Sequence, residues 1–199
     1  LSTLFGGSFT LRDGEISFSD ESLGDSPQIT EIRSFNLHLS KVSYHKPFPF
    51  HLNGEMVHSK KEGAFSISGT IQNLPEDMDL SKGKLEAEVK MKGIETFHFW
   101  PYLKTLLPMK TISGTLDLNA HYQGDLSGAF KTSAKIKFRD MVYDHPQVFA
   151  HILTPKWLNL DLDLDYDLKE IKVHRISLEL PEIGVKAKGK IYGDRKSTR

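Results

Sequence analysis

Along most of this chain apolar and polar residues alternate one for one, the period of a strand with one covered face and one wet face. Phe9 and Leu11 open the pattern, and Asp13-Gly14 offers a tight turn into Ile16 and Phe18. Phe35, Leu37 and Leu39 follow, then Phe48, Phe50 and Leu52, after which Ser59 to Gly63 turns the chain into Phe65, Ile67, Gly69 and Ile71. Beyond a loop at Leu74-Pro75-Glu76-Asp77 the alternation resumes with Leu85, Ala87, Val89 and Met91. It continues through Ile112, Gly114, Leu116, Leu118, Ala120 and Tyr122, and again through Ala134, Ile136 and Phe138. The cleanest run is Leu158, Leu160, Leu162, Leu164 and Tyr166. A last pair spans Ile171 to Leu180 and then Val185, Ala187, Gly189 and Ile191, with a phase slip between Val173 and Ile176 that predicts a bulge.

These runs predict an all-β fold of long antiparallel strands. At about 3.3 Å per residue an 11-residue strand spans roughly 36 Å, longer than a compact sandwich needs, so the expected architecture is a twisted, curled sheet with an open apolar groove. One segment breaks the period. Phe99, Tyr102, Leu103, Leu106 and Leu107 fall at helical spacing, with Pro101 acceptable in a first turn and Pro108 closing the run. They predict one short helix over about 99–107, capping an end of the sheet.

Two short motifs recur. Leu11-Arg12-Asp13-Gly14 is echoed by Phe138-Arg139-Asp140-Met141, and Ser26-Pro27-Gln28-Ile29 by His145-Pro146-Gln147-Val148. They raise two descriptions of residues 1–193: one continuous segment, or two related strand-rich units (about 6–93 and 109–193) joined by the helix. Residues 194–199, Asp-Arg-Lys-Ser-Thr-Arg, abandon the pattern for unbroken polarity. They read as a non-native or disordered tail, either a natural polar end or the translated scar of a sequencing adapter. The start at Leu1, without an initiator Met, gives the chain the look of a piece of a longer protein.

Composition narrows the function classes. Lys plus Arg and Asp plus Glu number 26 each, so no basic surplus points to nucleic acid or to an anionic membrane. Cysteine is absent, which removes disulfides, thiolate metal sites and cysteine nucleophiles. No apolar run approaches the roughly 20 residues of a membrane helix. Phosphate-cradling glycine loops, G-x-S-x-G, H-E-x-x-H and N-x-[ST] are all missing, and no catalytic residue or cofactor is assigned. His38, His51 and His121 fall out of phase with their apolar neighbours and face water. The acidic run Asp161, Asp163, Asp165, Asp167 would project from one strand face, about 6.6 Å apart. Calcium needs six to eight oxygens converging from a bent loop, so the run reads as a solvated face, paired across the sheet with lysines such as Lys186, Lys188 and Lys190, and no metal site is assigned.

Certain segments resemble a known family. Gly83-Lys84-Leu85-Glu86-Ala87-Glu88-Val89, then Phe99-Trp100-Pro101-Tyr102-Leu103 with Leu106-Leu107-Pro108, then Ile112-Ser113-Gly114-Thr115-Leu116-Asp117-Leu118 is similar to the strand–helix–strand unit of AsmA-like proteins. Ile183 to Ile191 and Gly63 to Ile71 resemble the strands of that family ending in G-x-I. The resemblance implies a curled sheet with an apolar groove and a non-enzymatic role in handling phospholipid or another acyl-chain lipid for the outer membrane. It further implies a periplasmic location in a diderm bacterium, with an inner-membrane anchor outside this segment, and no nucleic-acid partner. The groove candidates are Phe35, Leu37, Leu39, Phe48, Phe50, Leu52, Phe65, Ile67, Leu85, Val89, Leu116, Leu118, Ile136, Phe138, Leu158, Leu160, Leu162 and Leu164. Two rivals stand beside this reading. One is a closed β-sandwich acting as a spacer or adhesin without lipid; the other is a carbohydrate-active enzyme, which would need two facing carboxylates in a cleft.

Overall fold

In a computed structural model, residues 7–21, 27–44, 46–58, 61–72, 82–96, 99–104, 109–147 and 149–192 are described. Ten strands follow one another: β1 (Gly7–Asp20), β2 (Gln28–Val42), β3 (Phe48–His58), β4 (Lys61–Gln72), β5 (Lys84–Glu95), β6 (Thr111–Asp125), β7 (Phe130–Asp144), β8 (Trp157–Tyr166), β9 (Glu170–Glu179) and β10 (Gly184–Tyr192). They form a single antiparallel sheet in strict chain order, open rather than closed into a barrel. Each strand packs on its chain neighbours, and no second sheet covers either face among the described residues. The layered packing of a sandwich is therefore not the architecture of this segment.

The long strands predicted from alternation are present, at 9 to 15 residues each. The helix is shorter than its apolar spacing predicted. α1 covers Trp100–Leu103 with Pro in its first turn, and the backbone N–H of Lys104 closes it onto the carbonyl of Trp100. Leu106, Leu107 and Pro108 lie outside the described residues, as do the loop at 74–77, Ser26, Val148, Gly193 and the tail 194–199. Among the described residues no helix is long and apolar enough to cross a membrane.

Alternation and straight register put like with like. Leu52 faces Ile67, Ile67 faces Val89, and Phe65 faces Met91, so in the middle of the sheet apolar residues meet apolar residues from strand to strand. Two glycines let these rungs close up. At Gly54 a Cβ would sit 3.0 Å from the Phe65 ring, so the missing side chain is the room that ring occupies; at Gly69 it would come 2.0 Å from the Glu86 carbonyl oxygen, where β4 and β5 approach. Phe65 and Ala87 beside these glycines are buried, as is Ala134 on β7, while the edge strands stay open, with Phe18 53% and Ile191 58% exposed.

Bulges interrupt the ladder at several places. The slip expected between Val173 and Ile176 is there: Leu164 pairs with Val173 but Asp163 with Arg175, leaving His174 as the extra residue. Asp13-Gly14 corrects the expectation. It is not a turn, because β1 runs unbroken through it; Arg12 and Asp13 together oppose one residue of β2, with Asp13 at φ 51°. Similar doublets occur at Ser34 (φ 49°), Gly93 (φ 70°) and Asp140 (φ 51°). The two aspartates of the repeated Arg-Asp motif thus share one backbone conformation. The second motif diverges: Pro27-Gln28 enters β2 directly, whereas Pro146 and Gln147 lie in a turn well before β8.

Candidate functional site

All eighteen groove candidates fall on one face of the sheet, because each keeps its strand's phase and each strand's phase is matched by its neighbours. One rung shows how complete the face is. Leu11, Leu37, Leu52, Ile67, Val89, Ala120, Ala134, Leu162, Ile176 and Ala187 lie side by side across all ten strands without a polar residue. A second rung runs Phe138–Leu158 and Leu116–Phe138. Phe48 and Phe65 are buried; the other sixteen candidates are half-buried, shielded by neighbouring rungs rather than by a covering layer.

The pattern missed members of this face. Ile32, displaced by the β2 bulge, pairs with Met56 and returns to the apolar side. Phe130 extends the alternation backward from Ala134 through Thr132, and stacks between Tyr122 at 5.2 Å and Tyr166 at 5.0 Å between ring centroids. The Tyr122 hydroxyl donates to the carbonyl of Asp125, so the polar end of this aromatic row is satisfied at the strand end.

The opposite face is wet and balanced in charge. His38, His51 and His121 lie exposed on it, as their phase predicted, in one rung with Thr10, Ser68 and Glu88. His38 Nδ1 meets the Thr10 hydroxyl at 2.9 Å, and His51 Nε2 meets the Asn53 amide at 2.9 Å. The acidic run needs two corrections. Asp161, Asp163 and Asp165 lie on this face, but Asp167 is past the end of β8, where its Oδ1 accepts from the backbone N–H groups of Lys169 (2.8 Å) and Glu170 (2.9 Å). The cross-strand partners are not the lysines of β10, which lies two strands away. They are Lys135 opposite Asp161 and Lys131 and Lys172 on either side of Asp165, while Lys190 pairs with Glu170 at 2.9 Å. Asp165 also meets His174 Nε2 at 3.0 Å; this hydrogen bond first, with the nearby positive charges, holds its carboxyl below the usual range against a smaller opposing effect of burial.

A recess of about 540 Å³ opens among Glu86, Gln123, Lys131, Asp165 and Lys172 on this wet side. Its lining mixes the carboxylates of Glu86, Asp165, Asp167 and Glu170 with the lysines Lys84, Lys131 and Lys172. No group of three or more histidine or carboxylate side chains converges on a metal position among the described residues.

Two wet-face side chains do more than solvate. Asn36 lies opposite the β1 bulge: its Oδ1 accepts from the Asp13 N–H at 3.1 Å, and its amide donates to the Ser34 carbonyl (2.8 Å) and to Asn53 Oδ1 (3.0 Å). Asp117 lies opposite the β5 bulge, where one carboxylate oxygen accepts from the Gly93 N–H at 2.7 Å and from the Arg139 guanidinium at 2.9 Å. Nothing in the strand pattern marked these residues, since their role depends on register.

Compared with known proteins, the chain matches no family model, no curated protein and no solved structure.

Proposed function

We propose that this chain is a non-enzymatic, lipid-handling segment of an AsmA-like protein in the envelope of a diderm bacterium. In this reading it lies in the periplasm, belongs to a parent protein anchored in the inner membrane, and serves phospholipid transport or outer-membrane assembly. One observation carries the proposal: the rung of ten apolar residues from Leu11 to Ala187, uncovered by any second layer among the described residues. Soluble monomers seldom leave apolar patches beyond a few hundred Å² open. An acyl chain laid on such a face gains about 0.8 kcal/mol per buried CH₂ and asks for no directional chemistry. The face offers aliphatic and aromatic groups in quantity. Headgroups can remain in water at its margins, which accounts for the lack of dedicated polar ligands.

The test pairs stability with lipid content. Leu162 lies in that rung on β8, between Ala134 and Ile176. Leu162→Asp puts a carboxylate on the acyl path, where it stays partly hydrated because the face is open. The expected result is a folded variant whose purified form has lost the lipid that mass spectrometry finds on the wild type. A folded variant with its lipid intact would remove this row from the path, and unfolding would mean that the face is a closed core.

A further inference from the structure

The bulges in the middle strands are held from the side opposite the apolar face. Asp117 points into the wet face of β6, away from any lipid, yet a single oxygen of it grips both neighbouring strands. On β5 it accepts from Gly93, the second residue of a doublet that opposes Asp117 alone, since Met91 pairs with Leu118 and Ile94 with Leu116. On β7 it accepts from Arg139, the residue just before the left-handed Asp140 at the next bulge. Bulges bend the strand that carries them and raise its local twist. Both bends therefore meet at one carboxylate.

Directly behind these bends lie Met91, Ile94, Leu116, Leu118, Ile136 and Phe138, the middle of the apolar face. Because the extra residue of each doublet goes to the wet side, the apolar phase resumes unbroken, but the strand axis does not stay straight. We infer that Asp117 is a positioning residue that sets the bend of the acyl-binding face, so that the lengths of chain the face accepts depend on a side chain that never touches lipid. This inference rests on the lipid-handling reading for its ligand, though not for the latch itself.

Three variants and two measurements test it. Asp117→Ala removes the acceptor, Asp117→Asn keeps an oxygen for the Gly93 N–H, and Glu88→Ala alters an exposed wet-face residue that pairs with Lys90, away from the bulges. Each protein is offered a graded mixture of saturated fatty acids, from lauric to arachidic, and the bound species are weighed by native mass spectrometry. Asp117→Ala is expected to flatten the wild-type preference among chain lengths by roughly three- to tenfold, the ratio that one hydrogen bond's net worth produces. Asp117→Asn restores most of it and Glu88→Ala leaves it unchanged.

In parallel, amide exchange at Gly93 is expected to quicken in Asp117→Ala and recover in Asp117→Asn. Faster exchange with an unaltered chain-length profile would overturn the inference, because Asp117 would then hold the bulge without shaping the fit. Unaltered exchange would overturn it as well. Should the wild type take up no fatty acid, the lipid reading fails, and small-angle scattering decides the latch on its own: a more extended Asp117→Ala particle supports it, an unchanged one refutes it.

Discussion

On the β1–β3 side of the sheet the bulge is held by an amide, and on the β5–β7 side by a carboxylate. Asn36 and Asp117 occupy equivalent places, each opposite a doublet and each accepting the N–H of its second residue through Oδ1. The chemistry around them differs. Asn36 works within a neutral relay, passing from Ser34 to Asn53 and on to His51, and its bulges place two non-glycine residues, Asp13 and Ser34, at positive φ. Asp117 gathers two charge-assisted bonds on one oxygen, takes the bulge N–H at 2.7 Å against 3.1 Å for Asn36, and its β5 bulge uses Gly93 at the left-handed position. Both regions hold a non-glycine residue at positive φ, Asp140 in the second, but one spreads the restraint over several modest bonds and the other concentrates it in one group. The same bend can thus be specified by polarity or by charge.

The largest expected effect separates the two through the backbone. Gly93 sits at φ 70° with only ordinary contacts for an added Cβ, the nearest 3.7 Å away, so Gly93→Val is costly for conformation rather than for space. It is expected to destabilise by roughly 2 kcal/mol and to lower the melting midpoint by about 4–8 °C. Ser34→Gly, at φ 49°, relieves strain but adds unfolded-state entropy, and is expected to stay within about 0.5 kcal/mol of the wild type. Equal losses in the two melts would break the comparison.

A smaller effect sharpens it through salt. Asp117→Asn is expected to cost about 1 kcal/mol at low ionic strength and less as salt screens the Arg139 partner of the wild type. Asn36→Ala, which breaks neutral bonds only, is expected to show a loss that salt does not change. Parallel salt dependences in denaturant titrations would mean that charge is not what distinguishes the clamps.

The smallest effect lies beyond both clamps, at the β9 bulge, where Asp165 meets His174. Its carboxyl is held below the ordinary 3.8, so the stabilisation is complete above that value and disappears as pH falls through the lowered one. With the carboxylate side chain 34% exposed, screening keeps the contribution small. Asp165→Asn is expected to melt slightly below the wild type at neutral pH and to converge with it in acid. A gap that widens with acidification would reverse the sign.

Phase was legible in the sequence, and register was not. All eighteen groove candidates share a face because membership depends on parity along one strand, which residues such as Leu158 to Leu164 display openly. The bulges were harder. Val173 and Ile176 revealed one through a three-residue step between apolar positions, yet the same step from Met91 to Ile94 and from Phe138 to Met141 passed unread. At Asp13-Gly14 the turn chemistry of the dipeptide outweighed the change of phase between Leu11 and Ile16, which a doublet explains and a turn does not. The lysines opposite the acidic run were misplaced for a related reason: alternation says which face a charge occupies but not which strand comes next. Asn36 and Asp117 were invisible for that reason too.

The unbroken order of the strands has a kinetic consequence. Every ladder joins segments adjacent in the chain, so no pairing waits for a distant strand to be made. Short loops close at little entropic cost, and sheets dominated by such neighbours assemble faster than those built on long-range crossings. As the chain leaves the ribosome, each new hairpin can zip onto the one before it. The growing sheet would be a usable template at every stage, without a final closing step on which the rest depends.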